Sequence, residues 1–568
     1  MTLARRLAAR ALIAAFGVCT IGGATGRAEA QETRDIVRDS ASQVAIPGAV
    51  VSLLDNAGRA LARTITNGRG EFHAVLTPDV SRIRVVRLGF QPRELRAEAG
   101  PDSVSQLTIS MQPVPSLLQP VRVAAPTRCP RRSDRLAALS LLEQARAGLL
   151  ATLVARSENP ARMTRLDVRR TLDRLGGRIV RHEVRIDSGA LSTRSYVAAR
   201  PATDFVRQGF RGDSGGQHVY FAPDAEVLVD DAFASGYCFH IMGRDAARAN
   251  QVGLGFRASD RRNGRVDVRG ALWIDTVALA LVEIEYDYVG LEPQTEPFEP
   301  GGYIAFRDMG NGVVLIDRWF IRFVAPRQDS AAGPSPPVVP AANTRLRPPL
   351  IVLVAVEGGG ELARAKWADG RTWRASLGTL RLRLVTRSGA PAVGTVVRLI
   401  DTDYQAISDS TGQIEIQDLV PGPYLVQVAD QQLAPLGVTM RTPFRFVAAR
   451  DSVVSLVVTV PSAADYAKEW CEETGRIGAR GTARLVARVV TADGQPARDA
   501  RWTLRWQDSR DAFMEDAPVG PDGVFAYCNV NRGDRVTLEV RREGMPTVYV
   551  NPVLATPVTV IRVEMKPR

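Results

Sequence analysis

Short runs of alternating apolar and polar residues dominate the chain. Between residues 36 and 111, runs of Val, Ile and Leu are interrupted by Pro47-Gly48, by Asn56-Ala57-Gly58 and by Asn67-Gly68-Arg69-Gly70. Alternation with a period of two is typical of strands that bury one face, and Gly, Asn and Pro at close intervals mark tight turns. This stretch therefore predicts an antiparallel β-fold of short strands.

The same pattern returns twice further along the chain. A second copy begins near Thr379 and has Gly412-Gln413-Ile414 where the first has Gly70-Glu71-Phe72. A third copy begins at Thr482 and has Gly523-Val524-Phe525 at that place. Because the copies are separated in the chain, they predict individual β-sandwich modules rather than a stacked solenoid.

The first copy resembles a known family. The resemblance rests on Ile46-Pro47-Gly48-Ala49-Val50-Val51, on Thr64-x-Thr66-Asn67-x-x-Gly70-x-Phe72 and on Val85-x-x-Leu88-Gly89-Phe90. These runs resemble the carboxypeptidase regulatory-like domain over roughly residues 34 to 124. The resemblance implies a small transthyretin-like β-sandwich of the kind found at the front of many bacterial envelope proteins. It implies a fold and no particular activity.

The region after the first module changes period. From Ser133 to Ala155, leucines recur at helical spacing on one side, which predicts one amphipathic helix. From Leu166 to Phe323 the pattern is again that of long alternating strands joined by short polar turns. It predicts a meander that forms an open half-barrel or a broad sheet against the helix.

Together these patterns predict a mainly β protein, with three transthyretin-like or Ig-like β-sandwich modules and a larger central antiparallel β domain with one packed helix. The predicted divisions are a signal peptide (1–30), the carboxypeptidase regulatory-like sandwich (31–124), the central helix and antiparallel β domain (125–325), a Pro/Ala-rich linker with a connecting strand (326–378), the second sandwich (379–461) and the third sandwich with a disulfide (462–568).

The first 30 residues have the anatomy of a secretory signal. Arg5, Arg6 and Arg10 precede an apolar run, and Ala28-Glu29-Ala30 is a small-x-small cleavage site. We therefore predict export to the periplasm or the outer membrane. We expect no transmembrane helix in the mature chain, because no later stretch holds about 18–20 uninterrupted apolar residues.

The net charge of +12 falls to +9 when the four Arg and one Glu of the signal are removed. Nearly all the basic residues are arginines, and they are scattered along the chain rather than clustered in a stripe. This distribution gives no indication of nucleic-acid binding, and weak attraction to an anionic envelope surface would be nonspecific.

Four cysteines remain after the signal. In an oxidising compartment they predict two local disulfides, Cys129 with Cys238 and Cys471 with Cys528. A metal site is disfavoured, because no two of these cysteines have the spacing of a zinc motif.

The run Gly212-Asp213-Ser214-Gly215-Gly216 matches the nucleophile motif of trypsin-like proteases. That chemistry needs a histidine base in its own context, and none precedes Ser214 in such a context. We therefore predict a turn between two strands there. No His-x-x-Glu pair of a zinc peptidase occurs either. The prediction is that the protein has no catalytic residue, metal or cofactor.

Trp502, Leu504 and Trp506 alternate onto one face of a strand, and exposed tryptophans stack on sugar rings. Trp502 and Trp506 are therefore candidate ligand-binding residues, and the alternative is that their face is the core of the third module. The predicted function is a non-catalytic, exported cell-envelope protein with a binding or structural role toward a glycan or an envelope protein, at the outer-membrane surface or in the periplasm.

Two other functions stay open at this stage. The run from Gly270 to Tyr286 resembles a strand pair of periplasmic lipoprotein-carrier half-barrels, so the central domain could carry a lipophilic ligand. A hollow apolar face at Leu272, Ile274, Leu281 and Ile284 would favour the carrier, and a filled core would favour the binding scaffold. The third hypothesis is a serine hydrolase that uses Ser214.

Overall fold

A computed structural model describes residues 31–97, 107–114, 132–173, 177–191, 200–214, 217–242, 246–259, 264–309, 314–328, 351–431, 433–434, 443–473, 482–507, 512–556 and 558–567. The predicted signal peptide and residues 329–350 of the segment predicted as a Pro/Ala-rich linker with a connecting strand lie outside these residues. The described part is mainly β, as the sequence predicts.

The first module is a sandwich of a three-stranded and a four-stranded sheet, with strand orders β4-β1-β7 and β3-β2-β5-β6. Its inward side chains, among them Val37, Val51, Phe72 and Ile109, form one buried core. Its strands are β1 (Gln31–Asp39), β2 (Val50–Leu54), β3 (Ala60–Ile65), β4 (Glu71–Leu76), β5 (Arg82–Val86), β6 (Arg93–Arg96) and β7 (Thr108–Met111).

The central domain combines one long helix, three short helices and twelve strands. Its helices are α1 (Arg132–Glu158), α2 (Ala202–Gln208), α3 (Ala225–Leu228) and α4 (Asp231–Gly236). Its strands are β8 (Arg162–Leu172), β9 (Ile179–Leu191), β10 (Arg211–Ser214), β11 (Gln217–Tyr220), β12 (Tyr237–Ile241), β13 (Gln251–Ala258), β14 (Asp267–Asp275), β15 (Ala280–Val289), β16 (Gly301–Asp308), β17 (Val314–Gln328), β18 (Ile351–Lys366) and β19 (Thr372–Arg374).

Ten of these strands form one broad sheet, in the order β12-β13-β14-β15-β16-β17-β18-β8-β9, with β19 beside β18. Helix α1 lies against one face of this sheet, where Leu142, Ala145 and Leu149 join a core cluster with Leu272 and Ile284. The opposite side of α1 contacts the first module, because Ala151 and Val154 pack on Val50 of β2. The helix is therefore enclosed between the two units.

Helix α1 is long and apolar enough to cross a membrane by length and composition, and 61% of its apolar window is buried in the protein. The sequence predicts this helix, and its apolar residues are interrupted by Glu143, Gln144 and Arg146, so it is not an uninterrupted apolar stretch. Its packing identifies it as a core helix. Two of the leucines that we assigned to its apolar side, Leu136 and Leu139, are exposed near its start.

The segment 326–378, predicted as a linker with a connecting strand, contains the strand that links two parts of the central sheet. Strand β18 pairs with β17 on one side and β8 on the other. The prediction missed this role because Gly358-Gly359-Gly360 weakens the local strand pattern. Gly359 and Gly360 are needed for close packing, since a Cβ atom would lie 2.3 Å from the backbone oxygen of Trp319 at Gly359 and 2.8 Å from its Nε1 at Gly360. A Cβ atom on Gly358 would have open space.

The stretch from His218 to Phe233 also differs from the alternating strands predicted for this region. Only Gln217–Tyr220 is a strand, and the short helices α3 and α4 follow. Both begin at an aspartate that caps the helix: the side chain of Asp224 accepts from Val227 N, and that of Asp230 accepts from Ala232 N. These caps override the apolar alternation.

The second and third modules repeat the arrangement of the first. The second has sheets β23-β20-β26 and β22-β21-β24-β25, and the third has sheets β30-β27-β33 and β29-β28-β31-β32. The strands of the second are β20 (Gly378–Val385), β21 (Val396–Leu399), β22 (Gln405–Ile407), β23 (Gln413–Leu419), β24 (Gly422–Ala429), β25 (Phe444–Ala448) and β26 (Val453–Thr459). Helix α5 (Ala463–Glu473) leads to the third, whose strands are β27 (Thr482–Thr491), β28 (Arg501–Gln507), β29 (Ala512–Pro518), β30 (Val524–Asn531), β31 (Val536–Arg541), β32 (Val548–Val550) and β33 (Val558–Met565).

One glycine marks the equivalent turn in every module. Gly70, Gly412 and Gly523 have φ angles of 71°, 74° and 75°. Each accepts a hydrogen bond from the first strand of its module, at 2.8 Å, 2.7 Å and 2.7 Å. A Cβ atom at any of them would lie within 2.7 Å of a backbone oxygen of that strand. Glycine is therefore required both by φ and by space.

We expect Gly412→Ala to destabilise the second module by roughly 1–3 kcal/mol, because it adds steric conflict to a strained φ. Gly389→Ala is the matched control, since Gly389 has a φ of 83° but no atom within 4 Å of its would-be Cβ. Hydrogen–deuterium exchange of peptides from strands β20 to β24 measures the difference. Equal loss of protection in both variants would contradict the steric part of the argument.

Candidate ligand site between the central sheet and the second module

A cavity of about 380 Å³ lies where the second module meets the central sheet. One wall is formed by strands β8, β16, β17 and β18. The other is formed by the loops at Val420-Pro421 and at Ala448-Ala449-Arg450 of the second module. The cavity exists because two folded units meet there.

The second module is held at this place by a shared hydrophobic core. Leu166, Val184 and Ala363 of the central domain belong to the same buried cluster as Leu380 and Tyr424 of the second module. Backbone hydrogen bonds continue the contact, since Val184 N donates to the oxygen of Asp401 at 3.3 Å and Asp403 N donates to the oxygen of Val184 at 3.0 Å. The walls of the cavity are therefore fixed relative to one another.

Two of the arginines in the cavity wall already have acidic partners. Arg170 donates to the backbone oxygen of Pro421 at 2.7 Å and lies 3.6 Å from the carboxylate of Glu357. Arg450 of the second module forms an ion pair with Glu361 of β18. Burial raises the pKa of Glu361, and Arg450 opposes that rise. These pairs tie the module to the sheet and leave little charge for a ligand.

Arg318 differs from them. It lies opposite Glu361 in the register of β17 and β18, and its guanidinium carbon is 5.5 Å from the ring centroid of Tyr303. Its Nε is buried without a hydrogen-bond partner in the described part of the chain. A buried donor without an acceptor is costly and indicates that water or a ligand completes the site. Oxyanions are the natural acceptors for a guanidinium group.

No pattern in the sequence singles out Arg318 among so many scattered arginines. The glycines of β18 opposite its neighbours Trp319 and Phe320 were a usable signal, because glycine inside a strand often marks a place where another group approaches closely. At Gly359 a Cβ atom would lie 2.9 Å from Cβ of Phe320. Glycine at this position therefore lets Phe320 of β17 lie close to the backbone of β18 beside the cavity.

His182 lies next to the cavity, at the interface with the second module. Its ring makes an edge contact with Tyr424 at 4.9 Å, and its Nδ1 is 3.4 Å from Nε of Arg170. A Cβ atom on Gly422 would lie 2.9 Å from the imidazole, so glycine is needed opposite this ring. Burial, with a smaller contribution from Arg170, lowers the pKa of His182 to about 4.

This depressed pKa predicts a pH dependence of stability. Between about pH 6.5 and 4 the unfolded chain binds a proton at His182 and the folded chain does not, so the free energy of unfolding falls as the pH is lowered through this window. We expect the loss to reach at most about 3 kcal/mol. Urea unfolding of the wild type and of His182→Phe from pH 7 to 4.5 measures it. If the free energy of unfolding changed with pH equally in the wild type and in the variant, the depressed pKa of His182 would be refuted.

The candidate ligand-binding tryptophans lie in the third module. Trp502 is 3% exposed and stacks on Phe525 at 4.5 Å. Trp506 is half-buried and contacts the ring of Tyr527 at 5.1 Å. Trp502 therefore lies in the core of the third module, which is the alternative to a ligand-binding position. Its ring offers no face to a glycan. A comparison of the copies could have shown this, because Val51 and Val397 stand at the equivalent positions and both are fully buried.

The GDSGG run spans the end of β10 and the connection to β11, and Gly215 and Gly216 of this connection lie outside the described residues. Strands β10 and β11 pair so that Asp213 faces His218 and Ser214 faces Gln217. Nδ1 of His218 lies 2.6 Å from the carboxylate of Asp213, and both side chains are largely exposed. A catalytic serine needs a sheltered site with a hydrogen-bonded base. Asp213 and His218 are not sheltered in this way, and the side chain of Ser214 lies outside the described part of the chain.

For each of the two predicted disulfides, the structure describes the side chain of one cysteine. Cys238 and Cys528 are each disulfide-bonded and buried. Cys129 lies outside the described residues, as does the side chain of Cys471, so the pairings Cys129–Cys238 and Cys471–Cys528 stay predictions. Within the described ranges, no three His, Cys, Asp or Glu side chains are grouped as a metal site.

The face proposed for a lipophilic ligand is filled. Leu272, Ile274 and Ile284 have no exposed surface and Leu281 has 5%. All four belong to the cluster that also contains α1 residues. By the criterion set from the sequence, a filled core favours the binding scaffold over the carrier.

The comparisons with known proteins concern mainly the first module. The model of the carboxypeptidase regulatory-like domain matches residues 36–112. No curated protein matches the chain.

Several solved structures are similar to parts of the chain at low identity. The streptococcal ancillary pilin is 11% identical, with 38% of this chain and 78% of the pilin covered and a TM-score of 0.15. The minor pilin of Streptococcus agalactiae is 12% identical, with 34% and 96% covered and a TM-score of 0.14. Hydroxyquinol 1,2-dioxygenase from Pseudomonas putida is 11% identical, with 16% and 58% covered and a TM-score of 0.13.

TM-scores this low do not relate the whole chains. The match to the family model agrees with the structure, since residues 36–112 contain nearly the whole seven-stranded sandwich. The chain therefore carries a carboxypeptidase regulatory-like domain at residues 36–112.

Proposed function

We propose that the protein is an exported, non-catalytic binding scaffold of the bacterial cell envelope. The observation that carries the proposal is the core shared by Leu166, Val184, Leu380 and Tyr424, which joins the second module to the central sheet. Modules that share a core hold a fixed orientation, as a scaffold requires. Export is supported by the predicted signal peptide.

The cavity between these two units is a better candidate ligand site than the tryptophan face of the third module. Arg318 provides an incompletely bonded guanidinium, and Tyr303 and Phe320 provide aromatic surface beside it. Such a site would recognise an anionic group attached to a small ring-shaped ligand, as in an acidic sugar. An acidic envelope glycan is therefore the ligand class that we propose.

The carrier and hydrolase hypotheses receive less support. The apolar sheet face has no room for an acyl chain beside Leu272 and Ile284, since both are fully buried. The hairpin that carries Ser214 is exposed at Asp213 and His218. Neither hypothesis has a specific observation in its favour.

Native mass spectrometry of the mature protein, purified from an envelope fraction, distinguishes scaffold from carrier. We expect the mass of the chain after cleavage at Ala30, lowered by four hydrogens for two disulfides, without bound lipid. A stoichiometric lipid that is lost on organic extraction would favour the carrier instead. A mass that includes residues 1–30 would contradict the predicted cleavage.

Isothermal titration calorimetry tests the ligand class. We expect oligogalacturonate to bind the wild type more tightly than a neutral glucose oligomer of the same length. Arg318→Gln should weaken binding by about tenfold or more, because a charge-assisted hydrogen bond contributes roughly 1.5–3 kcal/mol.

Arg381→Gln is the matched control, because Arg381 is exposed on strand β20 and paired with Glu415 away from the cavity. Equal binding of the two oligomers would reject the anionic ligand. Equal weakening by both variants would show nonspecific attraction by the positive protein rather than recognition in the cavity.

A further inference from the structure

Strand β26 of the second module is an uncharged edge strand. It is the last strand in the order β23-β20-β26, so it pairs with β20 and has no second partner strand in the described part of the chain. Its sequence is VVSLVVT, without a charged residue or a proline. Natural edge strands usually carry charge, proline or a bulge, because their free N–H and C=O groups can pair with another chain.

The outward side chains of β26 are also apolar and exposed. Every second residue from Val453 to Thr459 is exposed, and Val453 and Val457 have 53% and 71% of their surface accessible. The intervening residues Val454, Leu456 and Val458 pack against the module core. The strand is therefore held in an extended conformation with one edge and one face available.

The other two modules show how this edge is usually protected. The first-strand residues that donate to the turn glycine are equivalent in the three modules; they are Val37, Leu384 and Val489. Their partners in the last strand are therefore equivalent as well; they are Ile109, Val458 and Val563. Val457 then corresponds to Thr108 in the first module and to Arg562 in the third. Thr459 likewise corresponds to Ser110 and Glu564.

The third module thus has an exposed positive and an exposed negative residue where the second has Val457 and Thr459. The last strand of the first module is only four residues long. Short edges and charges both discourage pairing with another strand. Of the three equivalent strands, β26 alone has neither protection.

The sequence of β26 is nearly self-complementary about Ser455. If a second copy of the strand runs antiparallel to it with Ser455 opposite the partner's Ser455, then Val453 faces the partner's Val457, and Val454 faces the partner's Leu456. Cross-strand pairs of apolar side chains such as these stabilise antiparallel strands. A two-fold axis through Ser455 satisfies the rule that the same patch is used on both subunits.

We propose that β26 is a homodimer interface, in which the β26 strands of two copies pair antiparallel and join the two three-stranded sheets into one continuous sheet. The pairing gives partners to the free backbone groups of both edges and covers Val453 and Val457. The occupant is a second copy of this chain, because the strand is complementary to itself.

Sedimentation velocity over a range of protein concentrations tests the proposal. We expect a concentration-dependent dimer for the wild type. Val457→Arg introduces the residue that the third module has at the equivalent position, and it should raise the dimer dissociation constant by about tenfold or more. The double variant Val457→Arg/Thr459→Glu should be monomeric over the same range.

Val277→Arg is the matched control, because Val277 is 75% exposed on the turn after β14, in a different domain. It should leave the dimer intact. Circular dichroism and thermal unfolding establish that each variant is folded. A wild type that stays monomeric at its highest soluble concentration, or a dimer that Val457→Arg does not weaken, would overturn the proposal.

Cysteine cross-linking tests the register. Ser455→Cys should form a disulfide-linked dimer under oxidising conditions, since the two sulfur atoms lie across the two-fold axis. Ser388→Cys, on an exposed turn of the same module, should not. Equal cross-linking of both variants would reject the antiparallel pairing about Ser455, even if the protein is a dimer.

Discussion

The arrangement of the whole molecule depends on the pairing of one strand. Strand β18 bonds to β17 along one edge and to β8 along the other, and so joins the meander to the hairpin of β8 and β9. The two edges that it joins are far apart in the chain. Without β18 the hairpin would have no place in the sheet. The second module begins twelve residues after β18 ends, so the same strand determines where that module lies.

The interface between the central sheet and the second module is partly polar. Its charged residues have a different role from its apolar contacts. Asp418 of the second module is 2.6 Å from Arg364 and 2.9 Å from Arg374 of the central domain. Pairs of this kind contribute little net stability because desolvation offsets the attraction, but a broken pair is costly. Leu166 and Val184 therefore stabilise the interface, and the ion pairs restrict it to one orientation. Arg318, whose Nε has no hydrogen-bond partner among the described residues, keeps a donor that this restriction leaves available.

The sequence predicted what depends on local pattern. The sandwich modules and α1 were predictable because period-two alternation, turn glycines and leucine spacing act within a few residues. The role of β18 was not, because pairing with β8 is a long-range property and Gly358 to Gly360 masks the strand pattern. The face of Trp502 was ambiguous for a related reason: alternation shows that two faces exist, but it does not show which one is covered. Arg318 could not be predicted, because its unsatisfied Nε results from the docking of two domains.

The three modules show how one backbone serves different surroundings. In each module the backbone oxygen of one residue accepts the same hydrogen bond from the adjacent strand, which makes Ala49, Thr395 and Ala500 equivalent. The residues that follow them occupy the same outward position; they are Val50, Val396 and Arg501. Val50 is fully buried because α1 covers it, Val396 is half-buried, and Arg501 is exposed and paired with Asp516. The residue at this position follows what covers the sheet, while the inward neighbours Val51, Val397 and Trp502 all stay in the core. An apolar residue at an outward position of one copy, where another copy is charged, therefore indicates a surface that is covered.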